Sequence, residues 1–315
     1  MTENVKAALL MMLALALLAF NDAGIKALAR DMPLPQIIVM RNALISAGLL
    51  AVLLRRAGAF RLARRDWALV ALRAVGEAGA AVFYLAALVN MPFATLTAIL
   101  QATPLAVTLG AALVLGESVG WRRMAAILSG FAGVLLIVRP GAEGIDRYAL
   151  YALVSVLFVV LRDLATRGLS KTVPSMTVTL FTSLLVTATY LVLGADTPWV
   201  RPAGAALWLL PCIAGLVLGS YLLIIRGMRL GEVAFVSPFR YTALLFALVL
   251  GLVLFGEWPD AVTLAGAAII VASGLFMLYR ERKRGVATGT PAMPADKAPL
   301  DKAQGDKAPG GRRQR

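Results

Sequence analysis

The chain alternates between apolar runs of about twenty residues and short polar connections, ten times over. A brief head, Met1 to Asn4, precedes the first run, which begins at residue 5. Further runs fall at about 36–54, 67–89, 94–116, 121–138, 147–166, 174–193, 205–226, 233–255 and 260–279. A helix rises about 1.5 Å per residue, so runs of this length predict helices that cross the ~30 Å hydrocarbon layer of a bilayer. The first run has Lys6 before its apolar stretch, as a secretory signal would. It is read as a retained span because its continuation has a partner in the second half of the chain.

Two runs set the register. Residues 94–117 and 234–257 each begin with alanine, stay apolar, and close on Gly-Glu, with 257 − 117 = 140. Earlier in each half, Asp22, Lys26 and Pro33 match Asp163, Arg167 and Pro174, with 163 − 22 = 141, and Trp67 matches Trp208. The repeat unit is thus five spans. Five is odd, so the second copy enters the membrane from the opposite side, and a pseudo-two-fold axis in the membrane plane relates the copies. The expectation is an all-α integral membrane protein, its ten transmembrane helices forming two inverted five-helix repeats around a central cavity. The copies are placed at 5–140 and 145–280, with 281–315 a disordered basic tail. The terminal Gly-Glu of each marker run is expected to do no more than stop its helix.

Composition agrees with lipid as the solvent: 60% of the 315 residues are hydrophobic. There is no histidine and a single cysteine, Cys212, which argues against histidine-based catalysis, zinc clusters and disulfide frameworks. No Walker loop or serine nucleophile elbow occurs, so neither ATP-driven transport nor hydrolysis is expected. The formal charge of +14 has a membrane explanation, and nucleic acid is not an expected partner. Residues 280–315 carry ten Lys/Arg against four Asp/Glu. Among the connections, one side holds Lys6, Arg55, Arg56, Arg61, Arg64, Arg65, Arg122, Arg123, Arg167, Lys171, Arg226 and Arg229. The other side holds Lys26, Arg30, Arg139, Arg147 and Arg201. Basic residues favour the cytoplasmic side, so both termini are expected there.

A charge inside hydrocarbon needs a partner or a wet cavity. Asp22 with Lys26, and Asp163 with Arg167, lie four residues apart on one helix face. Each couple is either a helix-end ion pair or a pair of coupling aspartates beside a substrate path. Glu77 falls mid-span between Gly76 and Gly79, with Arg73 four residues earlier. It either locks onto Arg73 or senses protons or a substrate amine. Arg41 and Asn42, early in the second span, could hold a carboxylate or bond carbonyls at the mouth. Gln101 matches Tyr241 in repeat register, with Arg240 beside it. Pro104 and Pro238 each remove a backbone hydrogen bond and are hinge candidates or tolerated kinks. Tyr84 and Tyr221, with Phe83 and Phe239, could supply aromatic walls. Small residues in spans five and ten (Ala126, Gly130, Gly133; Gly266, Ser273, Gly274) are read as close-packing scaffold.

The twice-used helix ending Leu-Gly-Glu117 and Phe-Gly-Glu257, the glycine-spaced helix after each, and Arg41 early in span two resemble the ten-span EamA-type branch of the drug/metabolite transporter superfamily. The likeness covers roughly residues 5–280. It implies a basket-like helical bundle in the bacterial cytoplasmic membrane, with spans one to four and six to nine around the cavity and spans five and ten outside. It also implies export of amino acids or similar small metabolites without a cofactor. The chain departs from strict symmetry at Leu244, where the first copy has Pro104. The expected site comprises Arg41, Asn42, Glu77, Tyr84, Gln101, Tyr221, Arg240 and Tyr241 for substrate. Asp22, Pro104, Asp163 and Pro238 are the expected residues for coupling or gating. Protons are the candidate coupling ion, and the protein would be a monomer or homodimer. A lipid-linked substrate flippase and a sensor or assembly subunit are the alternatives.

Overall fold

The computed structural model describes residues 2–54, 62–117, 119–140, 146–170 and 173–284. Arg55, Arg56, Arg61 and Lys171 of the basic connections, and residues 285–315 of the expected tail, lie outside the described residues. Within these residues every regular element is helical, as lipid demands of a single chain segment that must bond its own backbone polar groups. Ten helical stretches are long and apolar enough to span a membrane.

The first copy runs α1 (Glu3–Leu28), α2 (Leu34–Leu53), α3 (Arg64–Asn90), α4 (Phe93–Leu100) with α5 (Thr103–Leu115), and α6 (Trp121–Val138). The second runs α7 (Arg147–Arg167), α8 (Ser175–Leu193), α9 (Ala206–Leu230), then α10 (Val233–Val236), a 3-10 turn (Ser237–Tyr241) and α11 (Thr242–Phe255), and α12 (Ala261–Arg284). The fourth and ninth spans are therefore broken helices, which apolar periodicity alone did not predict. Helix α12 continues to Arg284 and so takes in the first four residues of the expected tail.

Local chemistry explains several of the ends. Prolines stand at or just before the starts of α2, α4 and α8, where the missing N–H is not needed. Gly116 and Gly256 close α5 and α11 with φ of 69° and 67°, a left-handed turn that a side chain disfavours. Asp260 accepts from the Thr263 amide at 2.8 Å and caps the start of α12, with Arg139 bonded to the same carboxylate. The Thr263 amide, aided by Arg139, holds the Asp260 carboxyl below the usual carboxylate range.

Packing repeats under exchange of the copies. Helix α3 packs on α7, as α1 does on α9; α3 packs on α8, as α9 does on α2; α5 packs on α7, as α1 does on α11. The remaining major contacts, α2 with α8, α6 with α12 and α4 with α11, join equivalent spans and so lie on the pseudo-two-fold axis. At the α6–α12 crossing, a Cβ on Gly133 would meet the Gly266 carbonyl oxygen at 2.8 Å, and one on Gly266 would meet the Gly133 oxygen at 2.7 Å. The small residues there allow the two backbones to touch.

The buried core is uneven through the bundle. One continuous cluster joins Ile25 and Leu28 of α1, Leu85 and Leu88 of α3, Leu96 of α4 and Ile270 of α12 with residues of six further helices. Its members sit in the half away from the face where α1 starts and α12 ends. That other face, called here the terminal face, holds separate small clusters, among them Ala7–Met11–Val236, Leu53–Leu180 and Val70–Val173–Val178. Side chains fill the space between the helices on one side of the membrane and leave it divided on the other.

Candidate functional site

Two polar groups meet at the middle of the bundle, one built mostly by each copy. The first is anchored on Asp22. Tyr84 of α3 donates to one carboxylate oxygen of Asp22 at 2.6 Å, and Asn21 donates to the other at 2.9 Å. Arg41 of α2 donates to the side-chain oxygen of Asn21 at 3.3 Å and to that of Asn42 at 3.0 Å. Arg41, Asn42, Asp22 and Tyr84 are thus one connected network, and Asn21, which the sequence reading passed over, is its junction.

The second group is anchored on Arg162 of α7. Its guanidinium bonds Glu77 of α3 at 3.2 Å and Asp163 at 2.9 Å. The expected lock of Glu77 onto Arg73 is not what forms: Arg73 instead donates to the Thr182 hydroxyl at 2.6 Å. Adjacent residues point about 100° apart around a helix, but the long arginine arm bends back to Asp163 while reaching Glu77. Glycine makes this possible. A Cβ on Gly76 would stand 2.8 Å from the Arg162 backbone nitrogen, and one on Gly79 would enter the Phe158 ring. The bare face of α3 lets α7 come close enough to set Arg162 beside Glu77. Phe83 stacks on Phe158 with ring centroids 5.7 Å apart, which makes it part of that α3–α7 interface.

These charges line a space. Glu77 and Arg162 each keep 26% of their side-chain surface accessible although they sit mid-helix inside the bundle. Tyr221 of α9 is 40% accessible, yet Glu77, Arg73, Arg162 and Arg41 all lie within electrostatic reach of its hydroxyl. Arg240 is likewise accessible and lies near Asp163 and Arg162. The chamber thus gathers Arg41, Arg73, Arg162 and Arg240 against Asp22, Glu77 and Asp163, an excess of one positive charge.

The helix breaks meet above it. Gln101 donates its side-chain amide to the Tyr241 carbonyl at 3.2 Å, so the two register-matched residues touch near the pseudo-two-fold axis. Pro104 leaves the Leu100 carbonyl without its helical donor, and the Thr103 hydroxyl supplies one at 2.6 Å. Pro238 lies in the corresponding 3-10 turn. The Tyr241 side chain is not aimed at the chamber. It is 7% exposed, and its hydroxyl occupies the place where a Cβ on Gly274 would stand. Phe239 pairs with Phe235 in the small terminal-face cluster rather than with the charged groups.

The cations at the ends of α1 and α7 have partners that spacing along one helix does not reveal. Lys26 bonds Glu257 at 2.7 Å rather than Asp22, and Arg167 reaches across to Glu117 at 3.0 Å. The Gly-Glu ends therefore do more than stop their helices: the glycine turns the chain and the glutamate binds the other copy. A separate cavity of about 270 Å³ opens between α4, α5, α6 and α7, lined only by apolar residues such as Ile99, Leu109, Phe131 and Val160. It does not include any charged residue of the chamber.

Inverted five-helix repeats with broken helices at the midplane and a charged chamber beside them define the class as a secondary-transporter type of membrane protein. The chain belongs to the EamA-like transporter family, which matches it twice, over residues 5–139 and 146–279. It is 29% identical to an S-adenosylmethionine uptake transporter of Rickettsia bellii over 61% of this chain and 66% of that one. It is 32% identical to a riboflavin transporter of Vibrio cholerae over 59% of this chain and 63% of that one. These matches span just under two thirds of those relatives' length. A pseudopaline exporter of Pseudomonas aeruginosa, CntI, is 28% identical over 84% of this chain and 93% of its own. A crystal structure of another protein shares the fold, with a TM-score of 0.59 at 22% identity over 88% of this chain and 97% of that chain.

Proposed function

We propose that this protein is a secondary transporter that moves small amino-acid-like metabolites out of the cell across the bacterial cytoplasmic membrane by alternating access, with both termini cytoplasmic. The copies that rock against each other are placed at 5–140 and 145–280. The observation that carries the substrate class is how the arginines are held. Arg41 is bonded to the amide oxygens of Asn21 and Asn42, and Arg73 to the hydroxyl of Thr182. Both guanidiniums rest on neutral oxygens beside a chamber with one excess positive charge. A substrate carboxylate would replace those contacts with charge-assisted ones, which are about twice as strong. A substrate amine would then face Asp22, Glu77 or Asp163. The named relatives include both an uptake transporter and an exporter, so they support small-metabolite transport without choosing the direction.

The test is transport by purified protein in liposomes, comparing amino acids and related carboxylates with their methyl esters and with amines. Uptake or release of a free carboxylate that is lost on esterification supports the proposal. Movement of no such metabolite in either direction removes it. Proton coupling through Glu77 and the paired aspartates is a further part of the proposal. A flux indifferent both to a pH gradient and to Glu77→Gln would eliminate that part. The apolar cavity between α4 and α7 could take an acyl chain, but its lining offers no polar path for a headgroup. That favours the chamber over a flippase route.

A further inference from the structure

Among the described residues, the two ion pairs at the ends of the bundle share one plan. Lys26 near the end of α1 bonds Glu257, just past α11, and Arg167 at the end of α7 bonds Glu117, just past α5. Lys26 corresponds to Arg167 and Glu257 to Glu117 in the repeat register. Each bond therefore ties the first span of one copy to the fourth span of the other. The inverted symmetry puts one bond at each face of the membrane.

The two are not equally closed. Lys26 and Glu257 keep 10% and 24% of their side-chain surface accessible, whereas Arg167 and Glu117 keep 17% and 51%. Lys26 donates to the Met91 carbonyl at 2.7 Å, and Glu257 accepts from the Phe93 amide at 2.8 Å, so the pair clasps the turn between α3 and α4 as well. The apolar core shows the same bias, continuous on the Lys26 side and split into small clusters on the Arg167 side. Water competes strongly for an exposed pair and weakly for a covered one, so the same chemistry holds the two ends with unequal strength.

We propose that these pairs are alternating latches that set which face of the membrane the chamber opens to. In this structure both latches are formed: Lys26–Glu257 is the more covered, at the face away from the termini, and Arg167–Glu117 the more exposed, at the terminal face. As the chamber turns over, the second latch becomes covered and the first is exposed to water. This rests on the alternating-access reading but makes no use of the substrate.

The test reads facing directly. Cys212 is replaced by serine, and Tyr221→Cys serves as a chamber reporter. A membrane-impermeant thiol reagent is then added to one side or the other of the full-length protein in oriented vesicles. Glu257→Gln is expected to raise labelling from the Lys26 face about tenfold relative to the parent. Glu117→Gln is expected to lower it relative to labelling from the terminal face. The reversed pair Lys26→Glu with Glu257→Lys is expected to restore the parent ratio. Should Glu257→Gln not fold, Lys26→Gln is read in its place with the same expectation. A labelling ratio unmoved by the neutral variants of both pairs overturns the proposal, whatever their effect on flux. A shifted ratio in a protein that moves no metabolite leaves the latches standing and counts only against the substrate reading.

Discussion

Replacing Glu77 with glutamine removes the carboxylate that Arg162 holds at 3.2 Å. At an effective dielectric near 20, unit charges at that spacing attract by about 5 kcal/mol. Desolvation offsets much of this, and water reaches both side chains, each 26% accessible. The net coupling should therefore be about 1.5–3 kcal/mol, the range of a hydrogen bond to a charged group. A double-mutant cycle isolates it: Glu77→Gln, Arg162→Gln and the double variant, each unfolded by an SDS titration in mixed micelles. A parallel cycle with Arg73→Gln should give a coupling below about 1 kcal/mol, since Arg73 is bonded to Thr182 and acts on Glu77 only at a distance. If the Arg73 cycle equals or exceeds the Arg162 cycle, the assignment of partners is wrong. If neither couples, Glu77 is not paired at all.

Gly76→Val should push α3 from α7, because its Cβ meets a backbone atom of Arg162 that cannot turn aside. A destabilisation of about 1–3 kcal/mol, seen as a lowered SDS midpoint, is expected. Thr103→Val keeps the shape but leaves the Leu100 carbonyl at the helix break without its 2.6 Å donor. The expected loss is about 1–3 kcal/mol, checked by the same titration, with Thr103→Ser as the variant that retains the bond. Asp260 has its carboxyl held below the usual range by the Thr263 amide. Its contribution is present above the ordinary carboxylate pKa and lost as pH falls through the lowered folded value. The acid-side fall in melting temperature should therefore be shallower in Asp260→Asn than in the parent.

The large features were legible because they repeat. The matched offsets of Asp22 with Asp163 and of Glu117 with Glu257 imposed five-span units, and an odd unit imposes inversion. Helix existence followed from apolar length, since lipid leaves few other ways to satisfy a backbone. What escaped was anything decided between helices. Lys26 and Glu257 are bonded across most of the chain, so spacing along one helix suggested Asp22 as the partner instead. Arg73 looked like the partner of Glu77 for the same reason, while Arg162 reached it from another span. The signal that could have found Arg162 was its register match to Asn21: each copy places a polar residue just before its aspartate. Tyr241 was misjudged because a broken helix rotates its side chains away from the phase of an ideal one. Its ring went to Gly274 while its carbonyl stayed at the axis.

The cross-copy bonds carry a consequence for the half-protein. Each glutamate serves a cation in the other copy, so the first five-span unit inserted alone would hold Lys26 at one membrane face and Glu117 at the other without these partners. Two separate units could satisfy both charges only by inserting in opposite orientations. Fusion of the copies into one chain fixes that antiparallel arrangement during synthesis. It also means that a charge lost from one half must be answered in the other.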